Sequence, residues 1–148
     1  MKKVMVMVLA VAAAGAFVAG CGGGNTAGNA APAKVTRPEP KGDYKGKKMP
    51  ETANAEAAAN TWKANCASCH GEGAAGDGSL GSGLNPKPTD LTAAAFQDAV
   101  GDDYLFWRIS EGNPDMMFGN TSGMRGFSSE IKEEDRWNLV KFIRSKKK

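Results

Sequence analysis

The pentapeptide Cys66-Ala67-Ser68-Cys69-His70 places two thiols and one imidazole within a single short segment of the chain. The spacing C-x-x-C-H is typical of covalent attachment of a c-type haem, because two intervening residues let both sulfurs reach one edge of the porphyrin. The imidazole directly after the second thiol is then directed at the iron as its proximal ligand. The segment therefore predicts one covalently bound haem c, held by Cys66, Cys69 and His70.

Two other kinds of site use such a pair of cysteines, and each needs a feature that this sequence lacks. A thioredoxin-like redox motif is accompanied by a βαβ pattern, and a structural zinc site needs a second pair of ligands. His70 is the only histidine of the chain. A second protein ligand to the iron is therefore expected to be a methionine or, less usually, a lysine.

The N-terminus has the pattern of an export signal. Residues 1–3 carry two lysines, and residues 4–20 form an uninterrupted run of apolar and small side chains. The run ends Val-Ala-Gly before Cys21, which resembles the lipobox of bacterial lipoproteins, where the cysteine is diacylated and becomes the new N-terminus. We therefore predict a lipoprotein-type signal peptide over residues 1–20. An uncleaved membrane anchor is the alternative, although the run falls short of the roughly 20 residues that a spanning helix needs.

Residues 21–50 are rich in Gly, Ala, Asn, Pro and Lys and predict a lipidated flexible linker before a folded domain at residues 51–148. Lipid on Cys21 tethers that domain on the periplasmic side of a bacterial membrane or at the cell surface. Gly22, directly after the predicted lipidated cysteine, matches no recognised signal for retention in the inner membrane. This favours placement of the lipoprotein in the outer membrane.

The net charge of +3 does not indicate nucleic-acid binding. Residues 51–148 contain 11 basic and 14 acidic side chains, and the excess of positive charge belongs to the linker. The folded part shows no positive stripe with interleaved aromatic residues. We therefore expect no nucleic-acid partner.

The domain is predicted to contain short helices separated by long irregular loops. Alanine-rich, amphipathic or capped segments predict helices over residues 54–65, 91–100, 102–110 and 133–145. Trp62, four residues before Cys66, is expected to pack beside the porphyrin. Residues 71–83 are too rich in glycine for regular structure, and residues 84–91 form an extended segment beside the motif.

These elements together resemble a class I cytochrome c, over residues 54–145. The shared features are an aromatic residue at Trp62, C-x-x-C-H-G at residues 66–71, L-x-P-x-P-x-D-L at residues 84–91, I-x-E-G at residues 109–112, and M-x-x-F at residues 124–127 before a terminal helix. The resemblance implies an all-α, small cytochrome c fold with three to five short helices around one haem. It also implies that the first and last helices cross, with Ala58 near Leu139 and Phe142.

The resemblance identifies Met124 as the axial ligand opposite His70. Arg125 follows it where the family usually has proline, and Met116 and Met117 remain alternative ligands in the same loop. The carbonyl that accepts a hydrogen bond from His70 is, by the same analogy, that of Pro86.

Histidine and methionine together saturate the iron, which favours electron transfer over substrate binding. The sequence therefore predicts a monohaem electron carrier, not an enzyme, that docks transiently with redox proteins at the haem edge. A ligand-binding sensor or peroxidase-like enzyme with a labile distal ligand is one alternative. A dedicated electron-transfer subunit of a membrane oxidoreductase complex is the other.

Overall fold

The computed structural model describes residues 37–113 and 123–148, and in these ranges the regular structure is helical. The helices are α1 (Ala59–Asn65), α2 (Ala67–His70), α3 (Ala94–Ala99), α4 (Asp102–Glu111) and α5 (Glu133–Ser145), with 3₁₀ turns at Gly42–Tyr44 and Gly81–Gly83. The all-α class and the small cytochrome c fold are confirmed. The predictions for Cys21, Met116 and Met117 lie outside the described residues.

Helices α1 and α5 pack against each other and build the part of the core next to the motif. Ala58 and Leu139 are each 1% exposed, and the rings of Trp62 and Phe142 are 4.9 Å apart. A small side chain at Ala58 lets the two helices approach closely. This is the crossing of first and last helices that the resemblance implies.

Helix α1 begins later than the sequence predicts. The expected start was near Asn54, but the helix runs only from Ala59, without a side-chain cap. The amide of Asn54 donates to Oδ1 of Asn138 at 2.7 Å, while its own Oδ1 accepts from the amide of Glu56 at 2.9 Å. The bond from Glu56 makes an Asx turn, which competes with helix at this position, and the bond to Asn138 holds that turn against α5.

Helix α4 lies against α5 through a stacked aromatic pair. The rings of Phe106 and Trp137 are 3.9 Å apart and tilted by 13°. Both helices begin with acidic residues that complement the positive end of the helix dipole. Gly112, with φ +76°, ends α4 as expected, because glycine adopts this conformation without strain.

Residues 37–50 pack onto the domain, although their composition suggests a linker. The ring of Tyr44 lies 6.0 Å from that of Phe106, and its hydroxyl donates to Glu111. The amide of Gly46 donates to Oδ2 of Asp103 at 2.9 Å. The compact unit accordingly extends from Arg37 to Lys148, which differs from the boundary at residue 50 that composition suggests.

Removing the Tyr44 hydroxyl is expected to cost about 0.5–1.5 kcal/mol, the usual net contribution of one hydrogen bond. Burial, and then the neighbouring Glu111 carboxylate, raise the pKa of Tyr44 above its usual 10.0. The neutral phenol is therefore favoured in the folded state, and its stabilisation is complete below about pH 10 and is lost as pH rises through the raised pKa. Urea unfolding of wild type and Tyr44→Phe at pH 7 and pH 11 should show a difference that shrinks at pH 11. An equal difference in unfolding free energy at pH 7 and pH 11 contradicts the hydrogen bond between Tyr44 and Glu111.

Candidate haem site

Helix α2 brings the three motif side chains together on one turn. Cys66 is the residue between α1 and α2, and its carbonyl accepts from the amide of His70 at 2.9 Å. Neither Cys66 nor Cys69 forms a disulfide; Cys66 is buried and Cys69 is half-buried. Two free thiols on one turn can therefore reach one edge of a single planar group.

The imidazole of His70 lies beside the core and is uncharged at neutral pH. Burial lowers the pKa of the imidazole below its usual 6.5, so that it can act as a ligand at neutral pH. Its Nδ1 atom is buried and has no hydrogen-bond partner within residues 37–113 and 123–148. The bond predicted from Nδ1 to the Pro86 carbonyl is thus not formed in this structure, where Pro86 is exposed on the surface.

Trp62 lies directly beside the motif histidine. The two rings are 6.0 Å apart, and the indole Nε1 donates to the carbonyl of Gly71 at 3.0 Å. Gly71 is the residue that ends α2, at φ +78°. One buried side chain therefore contacts His70 and holds the start of the loop that follows it.

The glycine-rich loop is held by its close approach to the motif backbone. A Cβ atom at Gly78 would lie 2.5 Å from the carbonyl oxygen of Ser68, and one at Gly81 would lie 2.4 Å from that of Cys69. The amide of Leu80 donates to the Ser68 carbonyl at 2.8 Å. Glycine is needed at these positions because the loop passes where any side chain would collide with backbone.

The loop also contacts a proline, but a different one from that predicted. A Cβ atom at Gly76 would lie 2.5 Å from the carbonyl oxygen of Pro88, and one at Gly81 would lie 2.9 Å from the Pro88 ring. The half-buried Pro88 thus faces the loop and motif, while Pro86 does not. The glycines at residues 76, 78 and 81 are the sequence signal for this packing.

Met124 is carried by a segment that is fixed to the end of α4. The amide of Asn113 donates to the Met124 carbonyl at 2.7 Å, and Arg125 forms an isolated antiparallel bridge with Gly112. The side chain of Met124 is half-buried and packs against the hydrophobic core. These contacts fix the backbone at the predicted ligand and at the residue after it.

Arg125, where the family usually has proline, also stabilises this segment. Its guanidinium forms an ion pair with Glu130 and lies 4.4 Å from the centre of the Phe127 ring. Phe127 is buried, and its amide donates to the Ile109 carbonyl at 3.0 Å. The rigidity that proline gives to this position is therefore partly replaced by contacts of the arginine.

The residues of the motif fit a covalently attached haem. Burial raises the pKa of the Cys66 thiol to about 12, so that this sulfur is uncharged at neutral pH. An imidazole that is uncharged at neutral pH and directly follows two free thiols suits coordination of iron. Within the described parts of the chain, no three His, Cys, Asp or Glu side chains are grouped to hold a metal ion by themselves.

With haem bound, Cys66 and Cys69 would hold it covalently, and His70 would provide one axial ligand. Haem supplies a one-electron couple, whose potential depends on its axial ligands and on the burial of the site. The chain's own contribution is to orient the imidazole through Trp62 and to limit access of water. No helix in residues 37–113 and 123–148 has the length and apolar character needed to span a bilayer.

Comparison with known proteins agrees with this site. Residues 53–143 match the family model described as cytochrome c oxidase, cbb3-type, subunit III. No curated protein matches the chain. A chain of the Kuenenia stuttgartiensis reducing HAO-like protein complex has the same fold, with a TM-score of 0.52 and 23% identity over 78% of this chain. This protein spans 53% of that chain's length. Because the family model covers more than half of the sequence, the chain belongs to the cbb3-type cytochrome c oxidase subunit III family and is a c-type cytochrome.

Proposed function

We propose that this cytochrome is a monohaem electron carrier in which His70 and Met124 are the two axial ligands. The observation that carries the proposal is the half-buried, neutral imidazole of His70, which directly follows two free thiols on one helical turn. A histidine on one side and a thioether on the other saturate the iron and raise its potential. Such a site transfers single electrons without binding a substrate, so the protein is proposed to be a carrier and not an enzyme.

Met124 is proposed as the second ligand because its backbone is held against the end of α4. The bond from Asn113 and the bridge between Gly112 and Arg125 anchor the segment to α4. A ligand on a fixed segment loses little entropy when it binds. Its side chain also lies at the edge of the hydrophobic core, where an uncharged sulfur is favoured.

The carrier is proposed to work outside the cytoplasm, tethered to a membrane by lipid on Cys21. The signal-like pattern over residues 1–20 and the lipobox resemblance support this placement, with the outer membrane favoured. Partners would be redox proteins that dock at the haem edge through the small interfaces usual for transient electron transfer. Mass spectrometry of the mature N-terminus tests the anchor: a diacylated Cys21 is expected, and an unmodified or uncleaved terminus contradicts it.

A second candidate function is a dedicated subunit of a membrane oxidoreductase complex. The family description favours it, because it names a subunit of cytochrome c oxidase. Co-purification after mild detergent extraction distinguishes the two functions. A stable complex with a large partner at stoichiometric yield supports the subunit, whereas a cytochrome that elutes alone supports the carrier.

The absorption spectrum of wild type beside Met124→Ala tests the carrier function. Both proteins are matured in a host that attaches haem c and are measured oxidised and reduced, with and without CO. Wild type is expected to show a weak far-red methionine–iron band and no CO binding. Met124→Ala is expected to lose the band, bind CO and have a lower reduction potential.

Met49→Ala is the matched control, because Met49 is also a half-buried methionine that packs against the core. Its spectrum is expected to be that of wild type. If the far-red band survives in Met124→Ala, the axial ligand is Met116 or Met117. Single alanine variants of these two residues then show which one binds the iron. Absence of the band from wild type, together with CO binding, overturns the carrier in favour of a sensor or a peroxidase-like enzyme.

A further inference from the structure

A cavity of about 510 Å³ lies between residues 41–47, helix α4 and the first turn of α5. We call residues 41–47 the strap and this space the strap cavity. Among the residues that the structure describes, its lining includes neither the motif residues 66–70 nor Met124. The strap also precedes the residues 53–143 that match the family model. Three cations and three carboxylates line the cavity, namely Lys41, Lys47, Arg136, Asp43, Glu111 and Glu133.

Arg136 lines this cavity with a buried positive charge that no ion pair neutralises within residues 37–113 and 123–148. The residue is 8% exposed. Its Nη1 atom donates to Oγ of Ser110, whereas its buried Nε has no hydrogen-bond partner in these ranges. Arg144 of the same helix, by contrast, pairs with Asp102 at 2.7 Å and donates to the carbonyl of Val100 at 2.7 Å. A buried charge without a counter-ion is destabilising, so Arg136 lacks a compensation that Arg144 has.

Two of the three carboxylates in the strap cavity are engaged by other groups. Glu133 pairs with Lys47 at 3.2 Å, and this lysine lowers the pKa of Glu133 below its usual 4.5 more strongly than Arg136 does. Glu111 accepts a hydrogen bond from the hydroxyl of Tyr44. In the described part of the chain, no three acidic side chains are grouped to hold a metal ion. The cavity is therefore better suited to an anion than to a metal cation.

The cations of the cavity are held in place by the aromatic core. The guanidinium carbon of Arg136 lies 4.9 Å and the ammonium of Lys47 lies 5.5 Å from the centre of the Phe106 ring. That ring is fixed in turn by its stacking on Trp137. Lys41 is exposed on the strap and forms no ion pair with any described residue. One fixed guanidinium and one free ammonium thus line the same space from α5 and from the strap.

We propose that the strap cavity is a binding site for a small oxyanion of the carboxylate or phosphate type. Arg136 is the residue that recognises it, because the planar guanidinium can donate to two oxygens of one such group. Lys41 provides a second positive contact from the strap. The bound anion supplies the counter-charge that Arg136 lacks and connects the strap to α5. Binding of this anion does not depend on the electron-carrier function proposed above.

Titration of the haem-loaded full-length protein tests the site. The reduced protein is held in micelles of the uncharged detergent dodecyl maltoside, because phospholipid head groups would themselves supply phosphate. Inorganic phosphate and acetate are added separately, at an ionic strength kept constant with chloride. The Nε–Hε signal of Arg136 and the backbone amides of residues 42–47 are expected to shift and saturate, with half-saturation near or below about 1 mM for the preferred anion. The two titrations distinguish a phosphate site from a carboxylate site.

Three variants assign the binding to these residues. Arg136→Lys keeps the charge but loses the planar fork, and it is expected to weaken binding at least about tenfold. Lys41→Gln changes an exposed side chain and is expected to weaken binding about threefold. Lys63→Gln is the matched control, because it removes the same charge from an exposed lysine on α1. Its affinity is expected to be that of wild type.

Urea unfolding provides a second measurement, because an anion that binds only the folded state stabilises it. The preferred anion at 10-fold its dissociation constant should raise the unfolding midpoint of wild type above that in chloride, and should do so much less in Arg136→Lys. The proposal is overturned by equal affinity in wild type and Arg136→Lys, or by shifts that chloride reproduces. A change in haem absorption during the titration also overturns it, since the anion would then bind at the haem.

Discussion

Trp62→Ala is expected to destabilise the folded protein by about 3–5 kcal/mol, the range for removing a large aromatic side chain from a core. Trp62 is 4% exposed, so nearly the whole side chain is lost from the interior. Its ring contacts Phe142 on α5, and its indole nitrogen holds the carbonyl of Gly71. The substitution therefore weakens the packing of α1 against α5. It also removes the hydrogen bond that holds the start of the loop after the motif.

Trp62→Phe separates these two contributions. Phenylalanine keeps most of the ring contact with Phe142 but leaves the Gly71 carbonyl without its donor, which costs about 1–3 kcal/mol in a buried position. Urea unfolding of the haem-loaded proteins, followed by far-UV circular dichroism, measures both variants. A loss of less than about 1 kcal/mol in Trp62→Ala would show that the core does not depend on this contact.

Gly112→Ala is expected to destabilise the protein and to displace Met124. A Cβ atom at Gly112 would lie 2.3 Å from the carbonyl oxygen of Met124 and 2.6 Å from the carbonyl carbon of Arg125. The residue also has φ +76°, a conformation that costs alanine on the order of 1–3 kcal/mol. Because the obstruction is backbone, the segment that carries the predicted ligand must move away from α4.

The measurable results are a lower unfolding midpoint in urea and a weakened far-red band in the oxidised protein. Gly73→Ala is the control, because its Cβ would meet nothing within 4 Å. Its stability and spectrum are expected to remain close to those of wild type. A Gly112→Ala protein that is destabilised but keeps its full band would separate the position of this segment from iron ligation.

Much of the fold is predictable from local sequence signals. The amphipathic pattern and the acidic start of α5 define its bounds at Glu133 and Ser145, as the structure has them. The start of α1 was missed, because the backbone amide of Asn54 is also held by Asn138, which is distant in sequence. The packing of residues 37–50 was missed for the same reason: Tyr44 gains its partners, Phe106 and Glu111, only in the folded chain.

The same distinction applies to the site: some of its features follow from neighbouring residues in the sequence, whereas others depend on tertiary contacts. The motif spacing alone predicts that Cys66, Cys69 and His70 share one turn, and the position of Trp62 predicts its contact with the histidine. The sequence does not distinguish Pro86 from Pro88, because both follow residues that are driven out of helix. Which of them faces the motif depends on the path of the glycine-rich loop, and that path is set by tertiary contacts.

The crossing of α1 and α5 has a consequence for when the folded core can be completed during synthesis of the chain. The contacts of Asn54 with Asn138 and of Trp62 with Phe142 join residues near opposite ends of the domain. Contacts between such distant residues require the closure of a long loop, which costs chain entropy. A nascent chain that has not yet released α5 cannot complete this core. The site around the motif cysteines is therefore complete only once the last helix has packed against α1.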